Sequence, residues 1–311
     1  MCVMWVLTYG IFVAGVCTSV TTAADGADSG TCDKDGLCDD SRQLPSITVI
    51  VPTCYMRHKF HPNLIKMFQH QTYSGHLELH LHDGACGKSD SSKSAKSNEV
   101  TKAAKNDPRI KYHFDSTTSS TPGENGVLSL GAKRNWLLER VETELVAHFD
   151  DDDYYAPNYL QEMVTKLIDN NADFVKLDGW FMYGEDYSEG QRRDAFVYYD
   201  FSKGNYLGWG WTLLYKRSLW GEFKYDDKMF MEEDRFVSQI ERRGYKIHHF
   251  GDHDYLALKI VTRSVVRATG MPLCVSQRTG DRSCVRYDLP KFLLNKGFGE
   301  RVQSWLKMWD V

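Results

Sequence analysis

The sequence has no excess of basic residues. Its 38 lysines and arginines stand against 42 aspartates and glutamates in 311 residues, a formal net charge of −4. Without an overall basic field the chain is poorly suited to hold a nucleic acid, and we expect no such partner. It also has no Cys-x2-Cys pair or ordered set of cysteines and histidines, which argues against zinc. No internal repeat is evident, and a hydrophobic content of 42% predicts a globular protein.

The N-terminal region contains an apolar run over residues 2–20, followed by small residues up to Ala24. This pattern predicts a signal peptide over residues 1–24. No Lys or Arg precedes the run, and its length also permits an uncleaved anchor, which would be the protein's contact with a membrane. Either alternative predicts the lumen of the secretory pathway (Golgi or ER) or secretion. Residues 25–46, rich in Asp, Gly and Ser, are predicted to be a linker.

The cysteine count agrees with an oxidising compartment. Once the two cysteines of the apolar run are set aside, six remain, which is an even number. Two short disulfide loops are predicted, Cys32–Cys38 and Cys274–Cys284. Cys54 and Cys86 each follow a predicted strand, and the sequence leaves open whether they are free or paired.

Strands and helices alternate from residue 47 onward. The predicted strands are 47–51, 77–82, 109–114 and 144–149, and the predicted helices are 62–71, 130–141 and 158–169. This alternation predicts a doubly wound α/β sheet, whose ligands collect outside the carboxyl ends of the strands. Asp83 and the aspartates from Asp150 onward fall at such ends.

The chain beyond residue 173 is more aromatic. We predict strands at 174–177, 195–201, 209–215 and 245–250, and a helix at 233–243. Residues 255–311 are predicted to be a C-terminal extension, with a cysteine-bounded loop and an amphipathic helix over 298–309 that packs on the core.

Four consecutive aspartates, Asp150 to Asp153, follow the apolar strand 144–149. Two like charges about 4 Å apart repel by roughly 4 kcal/mol at an effective dielectric constant near 20. Divalent cations such as Mg²⁺, Mn²⁺ or Ca²⁺ relieve this repulsion because they prefer oxygen ligands. The cluster therefore predicts a metal site, with a solvated acidic loop as the alternative.

Six segments in a fixed order resemble those of a GT-A fold glycosyltransferase of the family 2 type. The segments are 48–53 (TVIVPT), 82–84 (HDG), 131–135 (GAKRN), 149–154 with Pro157 (FDDDDY), 208–211 (GWGW) and 231–234 (MEED). The resemblance covers about residues 47–250. It implies an α/β, Rossmann-like three-layer α/β/α sandwich with a mixed, mostly parallel central sheet. The domain is expected to span 47–254, with a nucleotide-sugar half at 47–155 and an acceptor half at 156–254.

The resemblance implies an inverting transfer of sugar from a UDP- or GDP-sugar to a hydroxyl of a glycan, protein or lipid, with Mn²⁺ or Mg²⁺ as cofactor. A metal ion would neutralise the diphosphate leaving group. The implied metal site consists of Asp150, Asp152 and Asp153, with Asp152 as the direct ligand. Asp151 takes the variable place in the motif, and we expect it to be dispensable.

The same resemblance implies the remaining donor-binding residues. These are Pro52, Thr53, Arg57, Asp83, Lys133, Arg134 and Asp150. Asp83 is suited to accept hydrogen bonds from a uracil or guanine N–H, although Asp83-Gly84 is also typical of an ordinary turn. Lys133 and Arg134 are suited to the donor phosphates, with a solvated helix face as the alternative.

On the acceptor side, the resemblance implies that Asp234 is the general base, with Glu233 beside it. Acids are also favoured there simply because they open a helix. The implied acceptor-binding residues are Gly208, Trp209, Gly210 and Trp211, for which buried core aromatics are the alternative. His248, His249 and His253 are candidates for a further metal ligand, although each is more typical of a surface or core histidine.

Two other functions use the same aspartates. One is a secreted metal-dependent hydrolase or nuclease, and the other is a Ca²⁺-dependent carbohydrate-binding module without catalysis. A two-metal hydrolase requires further His or Asp ligands at several strand ends. A carbohydrate-binding module requires neither a nucleotide-binding residue such as Asp83 nor a separate acid pair such as Glu233-Asp234. The Gln-x-x-Arg-Trp segment of processive family members is absent from the sequence, which argues against a polymer synthase.

Overall fold

The computed structural model describes residues 43–85, 95–115, 128–186, 193–200, 210–261 and 284–287. Its N-terminal half is built on four parallel strands, in the order β3–β2–β1–β4. Their bounds are Ile47–Cys54 (β1), Leu77–Gly84 (β2), Ile110–Phe114 (β3) and Leu145–His148 (β4). The central strands β1 and β4 are apolar along most of their length, as buried parallel strands usually are, whereas β2 and the edge strand β3 alternate apolar and polar residues.

Helices cover both faces of the sheet. They are α1 (His61–Gln69, after a 3₁₀ turn at Tyr55–Phe60), α2 (Asn98–Asn106), α3 (Leu130–Leu138), α4 (Tyr159–Asp169), α5 (Arg217–Glu222) and α6 (Glu233–Arg242). On β1, Val49 and Val51 belong to one buried cluster with α1, α2 and α4. Ile50, between them, belongs to a second cluster with α3, α5 and α6. The predicted three-layer α/β/α arrangement is confirmed.

The C-terminal half makes the sheet mixed. The strands are β5 (Tyr154–Tyr155), β6 (Phe174–Asp186), β7 (Arg193–Asp200), β8 (Leu213–Lys216), β9 (Ile247–Gly251), β10 (Ala257–Val261) and β11 (Cys284–Tyr287). Strand β8 inserts antiparallel between β4 and β6. Beyond it, β6 pairs antiparallel with β7, and also parallel with β9 and β10.

Several boundaries differ from the sequence prediction: for example, β6 runs on to Asp186 and β8 begins only at Leu213. The sheet continues past residue 254, because β10 and β11, which lie in the predicted C-terminal extension, pair with β5, β6 and β7. Asp83 does not follow β2 but lies inside it, opposite Thr53 of β1. The parallel ladder continues two residues further than the apolar pattern does, because backbone pairing does not depend on side-chain polarity.

Several predictions concern residues outside the described ranges. They include the leader and linker, the Cys32–Cys38 and Cys274–Cys284 bridges, the helix at 298–309, and Gly208 and Trp209 of the acceptor segment. Within the described part of the chain, Cys54 is disulfide-bonded. None of the helices there has the length and apolar content needed to cross a bilayer.

Candidate active site

The aspartates form a turn between β4 and β5. The turn closes where the Asp153 N–H donates to the carbonyl oxygen of Asp150 at 3.4 Å. The Asp150 N–H donates to the hydroxyl of Tyr155 at 2.8 Å. The Tyr155 ring stacks on Phe149, with ring centroids 3.9 Å apart. Phe149 and Tyr155, which flank the aspartates, therefore stabilise the turn through this stacking and hydrogen bond. The carboxylates follow the carboxyl end of β4.

The carboxylate oxygens of Asp150, Asp152 and Asp153 converge within 4.8 Å of one another. Asp153 is fully buried and Asp152 is 6% exposed. An all-carboxylate set of this kind suits a hard cation such as Mg²⁺ or Mn²⁺, so the residues fit the implied metal. Within the part of the chain that the structure describes, no histidine belongs to this cluster, and His248, His249 and His253 are not among its members.

Lys259 on β10 is part of the cluster, although it lies outside the six sequence segments described above. Its Nζ donates to Asp153 at 2.6 Å and to Asp150 at 3.0 Å, and the next N–H, of Ile260, donates to the other oxygen of Asp153 at 3.0 Å. Burial would raise the pKa of Asp150, but Lys259 and then Arg134 lower it to about 2. A usable signal was present, since a single lysine inside an apolar strand is rarely buried without a partner.

Arg57 and Thr53 hold the remaining carboxylates. The Arg57 guanidinium lies 2.5 Å from both Asp151 and Asp152. The Thr53 hydroxyl donates to Asp151 at 2.5 Å. Asp151 is only 2% exposed, so its carboxylate is fully engaged inside the protein. The residue expected to be dispensable therefore ties the aspartate turn to the end of β1.

A cavity of about 540 Å³ opens beside the aspartates. Five of the seven implied donor-binding residues line it: Pro52, Thr53, Arg57, Lys133 and Asp150. Lys259 and several apolar side chains, among them Met56 and Phe230, also line it. The cavity has the size of a small-ligand pocket and combines cations with apolar surface, as sites for charged organic molecules do.

Lys133 lies deep at one side of this cavity. Its Nζ donates to the backbone carbonyl oxygens of Thr53, at 2.7 Å, and of Ala85, at 3.4 Å. Burial lowers the pKa of Lys133 to about 8. Only carbonyl dipoles contact this ammonium group among the described hydrogen bonds, so it remains available as a positive charge for an anionic ligand.

Asp83 is placed differently from its neighbours in the predicted set. Its carboxylate is fully buried and accepts hydrogen bonds from the hydroxyl of Tyr112 at 2.5 Å, with His58 Nε2 at 2.7 Å from the same oxygen. It is not among the residues that line the cavity. The other oxygen, Oδ1, has no hydrogen-bond partner within the described part of the chain. That oxygen is the part of Asp83 able to accept a further N–H.

Arg134 connects the aspartates to the acid segment at the start of α6. Its guanidinium forms a buried ion pair with Glu232 and lies 4.0 Å from both Asp150 and Glu233. Gly131, one turn earlier on α3, allows this approach: a Cβ there would lie 1.8 Å from the carbonyl oxygen of Asp226. The two motifs, far apart in sequence, therefore meet on the same side of the sheet.

The acid pair itself is arranged asymmetrically. The carboxylate of Glu233 accepts the N–H of Gly210 at 2.9 Å, and a Cβ at position 210 would lie 2.8 Å from it. Asp234 makes no such contact and is partly exposed. Burial raises the pKa of Asp234, and the neighbouring Glu233 carboxylate adds to the increase. The carboxylate of Asp234 is therefore more basic than that of an ordinary surface aspartate.

Trp211 is 1% exposed and packs among the aromatic residues of the core. Its ring meets Trp180 edge to face, with centroids 5.8 Å apart. The ammonium group of Lys259 lies 5.2 Å from the Trp211 ring centroid. The Trp211 indole therefore packs against Lys259 of the aspartate cluster. Its contact with an acceptor remains a prediction.

Comparison with known proteins gives a family match. The model of the glycosyl transferase family 2 matches residues 89–230. Among solved structures, the chain is similar to S. aureus TarS 1-349 in complex with UDP, with 17% identity over 70% of this chain and 60% of that chain and a TM-score of 0.49. It is also similar to mannosyltransferase PcManGT from Pyrobaculum calidifontis in complex with GDP-Man and Mn²⁺, with 16% identity, 73% and 60% coverage and a TM-score of 0.49. The chain thus spans 60% of the length of each of these two chains. No curated protein matches it.

Proposed function

We propose that this chain is a family 2-like glycosyltransferase of the GT-A fold, and that it transfers a sugar from a UDP- or GDP-sugar to an acceptor hydroxyl with inversion at the anomeric carbon. The observation that carries the proposal is the meeting of three carboxylates, a cavity and an acid pair at one edge of the sheet. Each feature alone fits several functions. Together they support the proposal of a cation site, a donor pocket and a base.

The donor is proposed to lie in the cavity beside Thr53 and Lys133. A divalent cation, Mn²⁺ or Mg²⁺, would be held by Asp152 with Asp150 and would neutralise the leaving diphosphate. Lys133 and Arg57 line the same cavity and add positive charge toward the phosphates. Asp83 is proposed to accept a uracil or guanine N–H through Oδ1, which requires a local rearrangement because that oxygen is buried and Asp83 does not line the cavity.

Asp234 is proposed to remove the proton of the acceptor hydroxyl. The acceptor oxygen then forms a bond to the anomeric carbon while the bond from that carbon to the phosphate oxygen breaks, and the nucleoside diphosphate leaves with the electron pair. Glu233 is held by the Gly210 N–H and so acts as a fixed neighbour that raises the basicity of Asp234. The acceptor is proposed to be a glycan, protein or lipid.

We further propose that the protein works in the secretory pathway. The disulfide at Cys54 supports this compartment, because disulfides persist mainly in oxidising environments. The even cysteine set and the apolar N-terminal run support it independently. Mapping of peptides from unreduced protein made in a eukaryotic secretory host tests the compartment: free thiols at Cys54 and at all four cysteines of the predicted loops would contradict it.

A thermal-shift panel of nucleotide sugars and free nucleotides, each with and without Mn²⁺, tests the proposed donor. Selective stabilisation by one nucleoside diphosphate and its sugars, and only with Mn²⁺, is the expected result. Stabilisation by Ca²⁺ and free saccharide without any nucleotide response would favour the binding module. Cleavage of phosphodiester or glycosidic substrates, again without a nucleotide-sugar response, would favour the hydrolase.

A further inference from the structure

Lys259 places a positive charge between two carboxylates of the aspartate cluster. Its ammonium group lies between Asp150 and Asp153, 3.0 Å and 2.6 Å from their oxygens, and the residue is 8% exposed. Arg57 contacts Asp152 at 2.5 Å. Each of the three convergent carboxylates therefore already faces a cation from the protein itself.

These contacts set a condition on metal binding. Asp153 has both oxygens engaged by β10, one by the Lys259 ammonium and the other by the Ile260 N–H. Asp150 shares that same ammonium group. A divalent cation and an ammonium group placed against the same two carboxylates would repel each other strongly at this depth. The two cannot both be bound tightly in this arrangement.

We propose that Lys259 is the resident counter-cation of the aspartate cluster and that a divalent cation binds by displacing its ammonium group from Asp150 and Asp153. This inference rests on the proposed function, because that function supplies the metal. Lys259 also lines the 540 Å³ cavity, so its flexible side chain has space to enter once it is displaced. The displaced ammonium would then face the proposed position of the donor diphosphate.

The test measures Mn²⁺ alone, by calorimetry and by the electron paramagnetic resonance signal of free Mn²⁺, on the full chain and on Lys259→Met. Removal of the competing charge should tighten Mn²⁺ binding at least about tenfold, because Asp150 and Asp153 lose the ammonium group that they share. Lys216→Met is the matched control. It removes a lysine that pairs with Asp173 at 2.7 Å, at the opposite end of the β4–β8 pair, and should leave Mn²⁺ affinity unchanged.

If Lys259→Met does not fold, Lys259→Gln takes its place. Gln removes the charge but keeps a hydrogen-bond donor for Asp153, and the same tightening of Mn²⁺ binding is expected. Equal or weaker Mn²⁺ binding in the folded Lys259 variant, or no Mn²⁺ binding in either protein, would overturn the proposal and leave Lys259 as a structural ion pair. Failure of every nucleotide to bind would overturn the proposed function instead, because the Mn²⁺ titration contains no nucleotide.

Discussion

Arg134 of α3 forms a buried ion pair with Glu232, the residue before α6. The same guanidinium lies 4.0 Å from Asp150. This single side chain joins the aspartate turn to the segment that carries the proposed base. Any change that moves α3 away from residues 226–232 should therefore disturb both parts of the site at once.

Gly131→Ala makes that change directly. A methyl group at this position would lie 1.8 Å from the Asp226 carbonyl oxygen. Because this oxygen belongs to the backbone, the clash cannot be relieved by a side-chain rotation. We expect a loss of about 3 kcal/mol in the free energy of unfolding, measured by urea titration. Gly221→Ala is the control: nothing lies within 4 Å of its added methyl group, and alanine in helix α5 should be neutral or stabilising by up to about 1 kcal/mol. Equal effects from the two substitutions would contradict the close contact.

Asp151→Asn should act on stability. Its carboxylate is buried between Thr53 and Arg57, so neutralising it leaves a partly buried guanidinium with one partner fewer. A loss of roughly 3 kcal/mol is expected, as for other broken buried pairs. Asp152→Asn keeps that pair and should be milder in the same denaturation experiment. The contact would be unimportant if Asp151→Asn unfolded at the same urea concentration as the wild type.

Asp234→Asn should retain the fold and nucleotide binding but lose turnover by about 10² to 10⁴-fold, the usual contribution of a positioned base. The substitution is nearly isosteric, and among the described hydrogen bonds the Asp234 carboxylate takes no part. Glu233→Gln should be milder, because an amide oxygen can still accept the Gly210 N–H. Turnover is measured as nucleoside diphosphate released in the presence of acceptor. Retained anomeric configuration in the product, or near-full activity of Asp234→Asn, would remove the single-displacement mechanism.

Nucleotide affinity should depend on pH through Lys133. Burial lowers the pKa of this lysine to about 8, so its ammonium group is charged below that pH and neutral above it. Nucleoside diphosphate affinity should therefore fall as the pH rises through about 8. Lys133→Arg keeps its charge and should remove this step, which calorimetry from pH 7 to pH 9 would show. The free energy of unfolding should instead rise with pH above about 8. The unfolded chain keeps the proton of Lys133 up to its ordinary pKa of 10.5, whereas the folded chain has already lost it.

The parallel half of the fold and the position of the aspartates could be predicted from the sequence. Short apolar runs define β1 and β4, an alternating apolar and polar run defines β2, and parallel strands bring their carboxyl ends to one edge. Local patterns carry that information. The helix starts at Ser97 and Ser129 are likewise local, since each serine side chain accepts a backbone N–H three residues later.

The partners of the aspartates could not be predicted in the same way. Lys259 reaches Asp153 across 106 residues of sequence, and it does so only because β10 lies antiparallel to β5. The contact between Arg57 and Asp151 spans 94 residues. Such contacts depend on which distant strands pair and in which register, and a single sequence does not determine this. The motif therefore predicted a metal site and a dispensable Asp151, but not the protein cations that already neutralise the cluster.

Calorimetric titration of UDP and of GDP into the full chain, first at saturating Mn²⁺ and then in EDTA, tests the central claim most directly. Wild type should bind one of the two nucleotides in Mn²⁺ and bind it at least about tenfold more weakly in EDTA, because the diphosphate loses its counter-ion. Asp152→Asn in Mn²⁺ should behave like the wild type in EDTA. Undiminished affinity in EDTA, or binding of neither nucleotide under either condition, would contradict a metal-dependent nucleotide-sugar transferase.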